Sequence, residues 1–275
     1  MPPIGISTGW LHAKGMGFDL VEMARLFKEI GADGIEVVMT QDPTMLSWPQ
    51  SPLSEQFEYV SVHFPDFDYI ARERDHLSPE HKKQLQDMAK IMQYHHAQVG
   101  VLHPSFVPFY LYEILQFQHI PFAIENMDPH KDIGCSVADI EHLMNIFSAP
   151  GILDLEHAYQ CQKGYQCNGK NLGIQFADMM ATPPRRLAHL HVSGESGPHD
   201  HTLLIHAENQ KEILSDLNEI LSRAPVPIVL EGDPLPDVPE GSTFSEKERM
   251  HLLQKAAECL TKEIQLLRTQ LHTLK

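Results

Sequence analysis

Seven apolar runs along the chain end at, or carry, a side chain that can hold a metal ion. Glu36 lies inside GIEVV, His63 ends YVSVH, His103 ends VGVLH and Glu125 ends PFAIE. Asp154 ends GILD, His191 sits in LAHLHV and Glu231 ends PIVLE. One histidine at a strand end is more often a hydrogen-bonded structural residue than a ligand. Carboxylates and imidazoles repeated from run to run are different, because burying so many anionic groups together is costly without compensating cations. The pattern points to a metal site. Two local motifs extend it. Asp154-Leu155-Glu156-His157 sets a carboxylate and an imidazole three residues apart at a strand exit, and His199-Asp200-His201 turns alternate imidazoles the same way in an extended loop.

Something must bring these residues together. Eight β-rich runs are legible: Pro3–Ser7, Gly34–Met39, Tyr59–His63, Val99–His103, Pro121–Glu125, Gly151–Asp154, Leu187–Val192 and Val226–Glu231. They are apolar nearly throughout, as in a parallel sheet covered by helices. Helix starts lie between them: Asp19 before LVEMARLFKEI, which closes on Gly31, Ser78-Pro79-Glu80, and Ser136 before VADIEHLMNIF. Eight strand–helix units predict one (β/α)8 TIM-barrel domain over residues 1–275, with the ligands at the C-terminal mouth. The competing architecture, an open doubly wound sheet, lacks its usual GxGxxG after the first strand. After the Pro-rich DPLPDVPEGSTF segment comes a long helix, about 245–273, with Leu253, Ala257, Leu260, Ile264, Leu267, Leu271 and Leu274 at heptad spacing. That seam either packs on the barrel or pairs with a second copy of the chain.

Charge and composition narrow the partners. Against 37 Asp and Glu stand 21 Lys and Arg, a formal net charge of −16 with 18 histidines uncounted. Such acidity disfavours phosphate backbones and anionic membrane surfaces. No stretch reaches the roughly 20 apolar residues of a membrane span, and the N-terminal segment lacks a signal-peptide pattern. Cys135, Cys161, Cys167 and Cys259 form no CxxC pair. A cytoplasmic protein with reduced thiols is expected. The loop TQDPTMLSWPQSPLSEQ and the loop SGESGPHDHTLLIHAENQ contain no Lys or Arg, so a grip on DNA is not expected. Arg72, Arg74 and Lys170 are better placed to hold the phosphate of one small substrate, with Trp48 and Phe64 as an apolar wall.

The segment Asp154-Leu155-Glu156-His157-Ala158, followed by Gly164-Tyr165, resembles the Asp-x-x-His-Ala…Gly-Tyr stretch of the endonuclease IV branch of the xylose-isomerase-like TIM barrels. His63, His103, Glu125-Asn126, His191 and Glu231 fall in that branch's order, over residues 3 to 231. The resemblance implies a trinuclear centre: His63 and His103 with Glu125, then Glu125 shared with Asp154, His191 and Glu231, then His157, His199 and His201. Where that branch has Asp-x-His, this chain reads His199-x-His201, one carboxylate fewer. The sugar isomerase and epimerase branch implies a simpler centre, one Mn or Mg held by Glu125, Asp154, His191 and Glu231. There the two glutamates would move protons and His157 would orient substrate. The Arg expected shortly after His191 in the epimerases is absent from VSGESG.

These readings lead to different chemistries. The first is a multinuclear hydrolase of a small phosphoester, holding two or three Zn, Mn or Fe ions that present metal-bound hydroxide, with Glu125, Glu231 and His157 as catalytic groups. The second is a mononuclear sugar or sugar-phosphate isomerase with Glu125 and Glu231 as the acid–base pair. A third is iron-dependent oxidation on the imidazole-rich cluster. A barrel whose histidines form only a structural network is the non-enzymatic alternative.

Overall fold

A computed structural model describes the chain except for residues 15, 17–18, 40–48, 66–78, 105–114, 116–118, 165–170, 183–186, 198 and 273–275. Eight parallel strands close a barrel: β1 Ile4–Ser7, β2 Gly34–Val38, β3 Tyr59–His63, β4 Val99–Leu102, β5 Phe122–Glu125, β6 Gly151–Asp154, β7 Leu187–Val192 and, last in the chain, β10 Ile228–Leu230. β1 pairs with both β2 and β10, so no edge is left open. The described helices are α1 Gly9–Ala13, α2 Leu20–Glu29, α3 Pro79–His95, α4 Val137–Phe147, α5 Leu155–Gly164, α6 Leu172–Met180, α7 Gln210–Arg223 and α8 Glu246–His272. Asp19 caps α2 by accepting from the Val21 and Glu22 amides, and Ser136 caps α4 by accepting from Asp139. Gly31, with φ +88°, ends the α2 segment in a conformation that side chains rarely adopt.

The two-residue period of the strands decides which side chains meet. Tyr59, Val99, Val101, Ala123, Ile152 and Val229 form one small buried cluster. Their neighbours in sequence, Val60, Leu102, Phe122, Ile124, Leu153, Ile228 and Leu230, belong to the larger core that also takes in the helices. Ser61, His63, His103, Glu125, Asp154, His189, His191 and Glu231 continue the first of these two alternating sets. Phe64, expected on the pocket wall, is one residue out of phase with His63. It is buried in the helix-side core, and its ring lies against Gly100.

Gly100 is therefore structurally required. A Cβ there would lie 2.3 Å from Phe64 Cζ and 2.7 Å from Cε2. Gly100→Ala is expected to destabilise the fold by about 1–3 kcal/mol through overpacking, read by urea denaturation. Phe64→Leu in the same background should recover part of the loss. No recovery would mean that the ring contact is not the cause.

A short antiparallel hairpin, β8 Gly194–Ser196 with β9 His199–Thr202, stands where the sequence suggested an extended loop. Gly197 makes the turn at φ +59°, and Gly194 admits no Cβ because Ala207 Cβ would lie 2.4 Å away. The long C-terminal helix lays its apolar face on its own barrel: Leu253, Ala256, Leu260, Ile264, Leu267 and Leu271 are buried. Arg249 pairs with Glu22 at 2.7 Å, and Arg268 donates to the Gly31 carbonyl at 2.7 Å. Pairing of that seam with a second copy is thus unsupported, since the seam is already covered. Ala256 replaces Ala257 in it, and Leu274 lies outside the described residues. Cys135, Cys161 and Cys259 form no disulfide among the described residues. No described helix is long and apolar enough to cross a membrane.

Candidate metal centre

Glu125, at the end of β5, is the hub. Its Oε2 lies 3.2 Å from His103 Nε2 and 3.6 Å from His63 Nε2. Its Oε1 lies 2.8 Å from His191 Nδ1 and 3.9 Å from His157 Nδ1. His191 Nδ1 also faces Glu231 Oε2 at 3.0 Å. Two groups of ligand atoms result, each within 4.8 Å: His63, His103 and Glu125, and Glu125, Asp154, His191 and Glu231.

The backbone sets the imidazoles' faces. His63 Nδ1 lies 2.9 Å from the Phe64 carbonyl, and His157 Nδ1 lies 2.9 Å from the Asn126 carbonyl. A carbonyl only accepts, so both Nδ1 atoms donate and both Nε2 atoms keep a lone pair, the tautomer a metal needs. Asn126 also bonds Asp154 reciprocally, Nδ2 to the carbonyl at 2.9 Å and Oδ1 from the amide at 2.7 Å, which locks β5 to β6. Asp154 Oδ1 accepts from the His157 amide at 2.7 Å, so the aspartate starts α5 while presenting its other oxygen to the cluster.

Electrostatics favour cations here. Burial would raise the Glu125 pKa, but His191, His103 and His63 hold it well below the usual range. Burial would lower that of His191, yet Glu231, Glu36 and Glu125 hold it well above. Glu231 is brought down to about 2 by His191 against the effect of burial. Asp154 is pushed up by burial, with Glu231 and Glu125 adding to the effect over the opposing pull of His157. Among the described residues, Glu125 Oε2 and Asp154 Oδ2 accept no hydrogen bond although both are buried. Two orphaned carboxylate oxygens beside imidazole lone pairs form a donor set that fits divalent ions.

The third group implied by the resemblance is only partly visible. The rings of His157 and His201 stand edge to face, centroids 5.5 Å apart. His199 lies on β9, and its side chain is outside the described residues. His201 is held by Glu156, an unanticipated buried carboxylate that accepts from the His201 amide at 2.8 Å and from Ser193 Oγ at 2.6 Å. Burial pushes the Glu156 pKa up to about 7.

His63, His103, Glu125, His157, His201 and Glu231 line one cavity of about 390 Å³ with Trp10, Lys14, Met127, Asp128, Lys131 and Asp233. Lys14 is buried and pairs with Asp233 at 2.7 Å. Sequence reasoning missed Trp10 and Lys14 because the first run carries no ligand. Their place directly after that run, at a strand exit, was the available signal. Arg72, Arg74, Lys170 and Trp48 lie outside the described residues, and Phe64 is not in the wall. On the same inward-facing set of side chains sits a further group, in which the sequence pattern offered Glu36 but not His189. Glu36 accepts from Ser61 Oγ at 2.9 Å, and His189 Nδ1 lies 2.7 Å from the Tyr59 hydroxyl.

No protein-family profile matches the chain, and no curated protein matches it by sequence. Solved structures do. A xylose isomerase domain containing protein from Salmonella typhimurium aligns over 97% of both chains at 13% identity, with a TM-score of 0.59. The fold is that of the xylose-isomerase-like TIM barrels. Endonuclease IV from Thermus thermophilus shares it at TM-score 0.59 and 17% identity, covering 95% of this chain and 100% of its own. D-Psicose 3-epimerase from Clostridium cellulolyticum shares it at 0.57 and 11%, covering 96% and 99%. Identities this low establish the xylose-isomerase-like architecture alone. Within that architecture, the reaction has to be argued from the site.

Proposed function

We propose that the protein is a multinuclear metal-dependent hydrolase acting on a small phosphoester. One observation carries the reading: the two oxygens of Glu125 face two different ligand groups, His63 with His103 on one side and His191 on the other. A single-ion enzyme has no use for the first group. His63, His103 and Glu125 would hold one ion, and Glu125, Asp154, His191 and Glu231 a second, with His157, His199 and His201 available to a third. Divalent ions there supply an activated water and stabilise charge on a phosphoester oxygen. His157 keeps an Nε2 lone pair on the cavity wall, and Lys131 lines the same cavity, where Lys14 is paired with Asp233. A cavity of about 390 Å³ suits a small molecule, and the acidic chain disfavours DNA.

The second reading, a sugar isomerase with one Mn or Mg, is favoured by the four-ligand group standing complete by itself and by the epimerase among the structures of like fold. Elemental analysis of the purified protein, run beside chromogenic phosphomonoester and phosphodiester assays and ketose epimerisation assays, separates the two. Two or more equivalents of Zn, Mn or Fe with phosphoester turnover are expected. One equivalent of Mn or Mg with sugar epimerisation would overturn the proposal, and iron with oxygen consumption would establish the oxidative alternative. An abasic-site duplex should remain intact at moderate salt.

A further inference from the structure

We infer that Glu36 and His189 are positioning residues that aim His191 at the metal centre. The inference rests on the metal-centre reading above. His191 Nε2 lies 2.9 Å from His189 Nε2 and 3.2 Å from Glu36 Oε2, all three side chains being fully enclosed in the barrel. Two ring nitrogens at that separation share one proton. If His189 carried it on Nε2, its Nδ1 would have to accept from the Tyr59 hydroxyl, and the carboxylate of Glu36 would have no donor from His191. With the proton on His191 Nε2, both His189 Nε2 and Glu36 Oε2 accept from it, and His189 Nδ1 donates to Tyr59. Ser61 then completes Glu36 Oε2 from the other side. It is also the tautomer in which His191 Nδ1, 2.8 and 3.0 Å from Glu125 and Glu231, could coordinate an ion held with those two carboxylates.

The three atoms are close enough together to suggest a cation among them. A divalent ion there would carry more charge than the one carboxylate offsets, in a place without solvent, whereas one proton satisfies both acceptors. Glu36 and His189 thus act through His191. The sequence pattern offers Glu36 as a candidate ligand, but in the fold it lies behind His191 with His189.

The test is Co²⁺ binding to metal-free full-length protein, followed by visible absorption, with unfolding temperature measured alongside. His189→Leu removes the acceptor and should weaken Co²⁺ binding by about 10- to 100-fold at unchanged stoichiometry. His189→Gln can accept from His191 through its amide oxygen and should recover most of that affinity. Glu36→Gln keeps the shape, loses the charge and should fall between them, and it serves as the readout if His189→Leu does not fold. A merely structural role would lower the unfolding temperature and leave the affinity of the folded variants at the wild-type value, which overturns the inference. Loss of a whole equivalent of Co²⁺ from His189→Leu overturns it as well, by making the residue a ligand. Wild-type protein that takes up no Co²⁺ defeats the metal-centre reading itself, an outcome distinct from either.

Discussion

Replacing Glu125 with glutamine is expected to strip divalent metal from both positions that this residue faces. An amide offers one oxygen acceptor where the carboxylate offers two, and no charge. The structure gives each Glu125 oxygen its own set of partners, His63 and His103 at Oε2 and His191 at Oε1. A bridging role therefore makes the loss joint. We expect Zn²⁺ or Co²⁺ affinity at each position to fall by at least about 100-fold, or about 2.8 kcal/mol. Glu231→Gln is the comparison, because Glu231 approaches only the His191 side. It should weaken one equivalent and spare the one near His63 and His103. Competitive titration with a chromophoric chelator resolves the two equivalents. If Glu125→Gln also spares one of them, Glu125 is a terminal ligand and the shared role that carries the proposal fails.

The proposed ligands were legible because a strand alternates strictly. A polar residue that ends an apolar run, in phase with inward-facing neighbours, has nowhere to point except the barrel axis. His63, His103, Glu125, Asp154, His191 and Glu231 all follow that rule. The rule also explains what was misread. Phe64 is adjacent to His63 in sequence and hence on the opposite face, against Gly100. His189, two residues before His191, shares its face, and strand period alone pointed to it. The β8–β9 hairpin was illegible for a different reason. Its strands are short, polar and paired only with each other, so no apolar alternation marks them. The carboxylates that hold it, Glu156 and Glu263, come from helices in which a charged residue ordinarily reads as solvated. Along the C-terminal helix, heptad spacing named Leu253, Leu260, Ile264, Leu267 and Leu271 as one face. It could not say that Glu263 belongs to that face too.

Glu263 gives the second large effect, a pH dependence of stability. Its side chain is fully buried, and it accepts from the Leu204 and Ile205 amides at 2.8 and 3.0 Å, at the start of the turn that follows β9. Burial pushes its pKa from 4.5 to about 7, further than the two amide donors can pull it down. The folded protein thus holds this proton more tightly than the unfolded chain does. Between about pH 4.5 and 7 the folded state binds more protons, so this group makes stability fall as pH rises through that window and level off above it. A shift of this size corresponds to something on the order of 3 kcal/mol. Glu263→Gln cannot ionise and keeps one oxygen for one of the two amides, which bond different carboxylate oxygens in the wild type. The lost hydrogen bond lowers its stability by a constant amount. Relative to its value near pH 4.5, the difference from the wild type should move in the variant's favour by up to about 3 kcal/mol by pH 8, in urea denaturation with chelator present. All other titrating groups are common to both proteins and cancel in the difference. Parallel pH profiles for the two would sink the assignment. Glu263→Leu separates charge from hydrogen bonding. It removes the ionisation but leaves two buried amides unpaired, at about 1–3 kcal/mol each, so it should be destabilised at every pH. Because Leu204 follows His201 by three residues, that variant should also loosen the hairpin on which His201 sits. Native-state hydrogen exchange at the amides of His201 to Ile205 would then speed up more in Glu263→Leu than in Glu263→Gln.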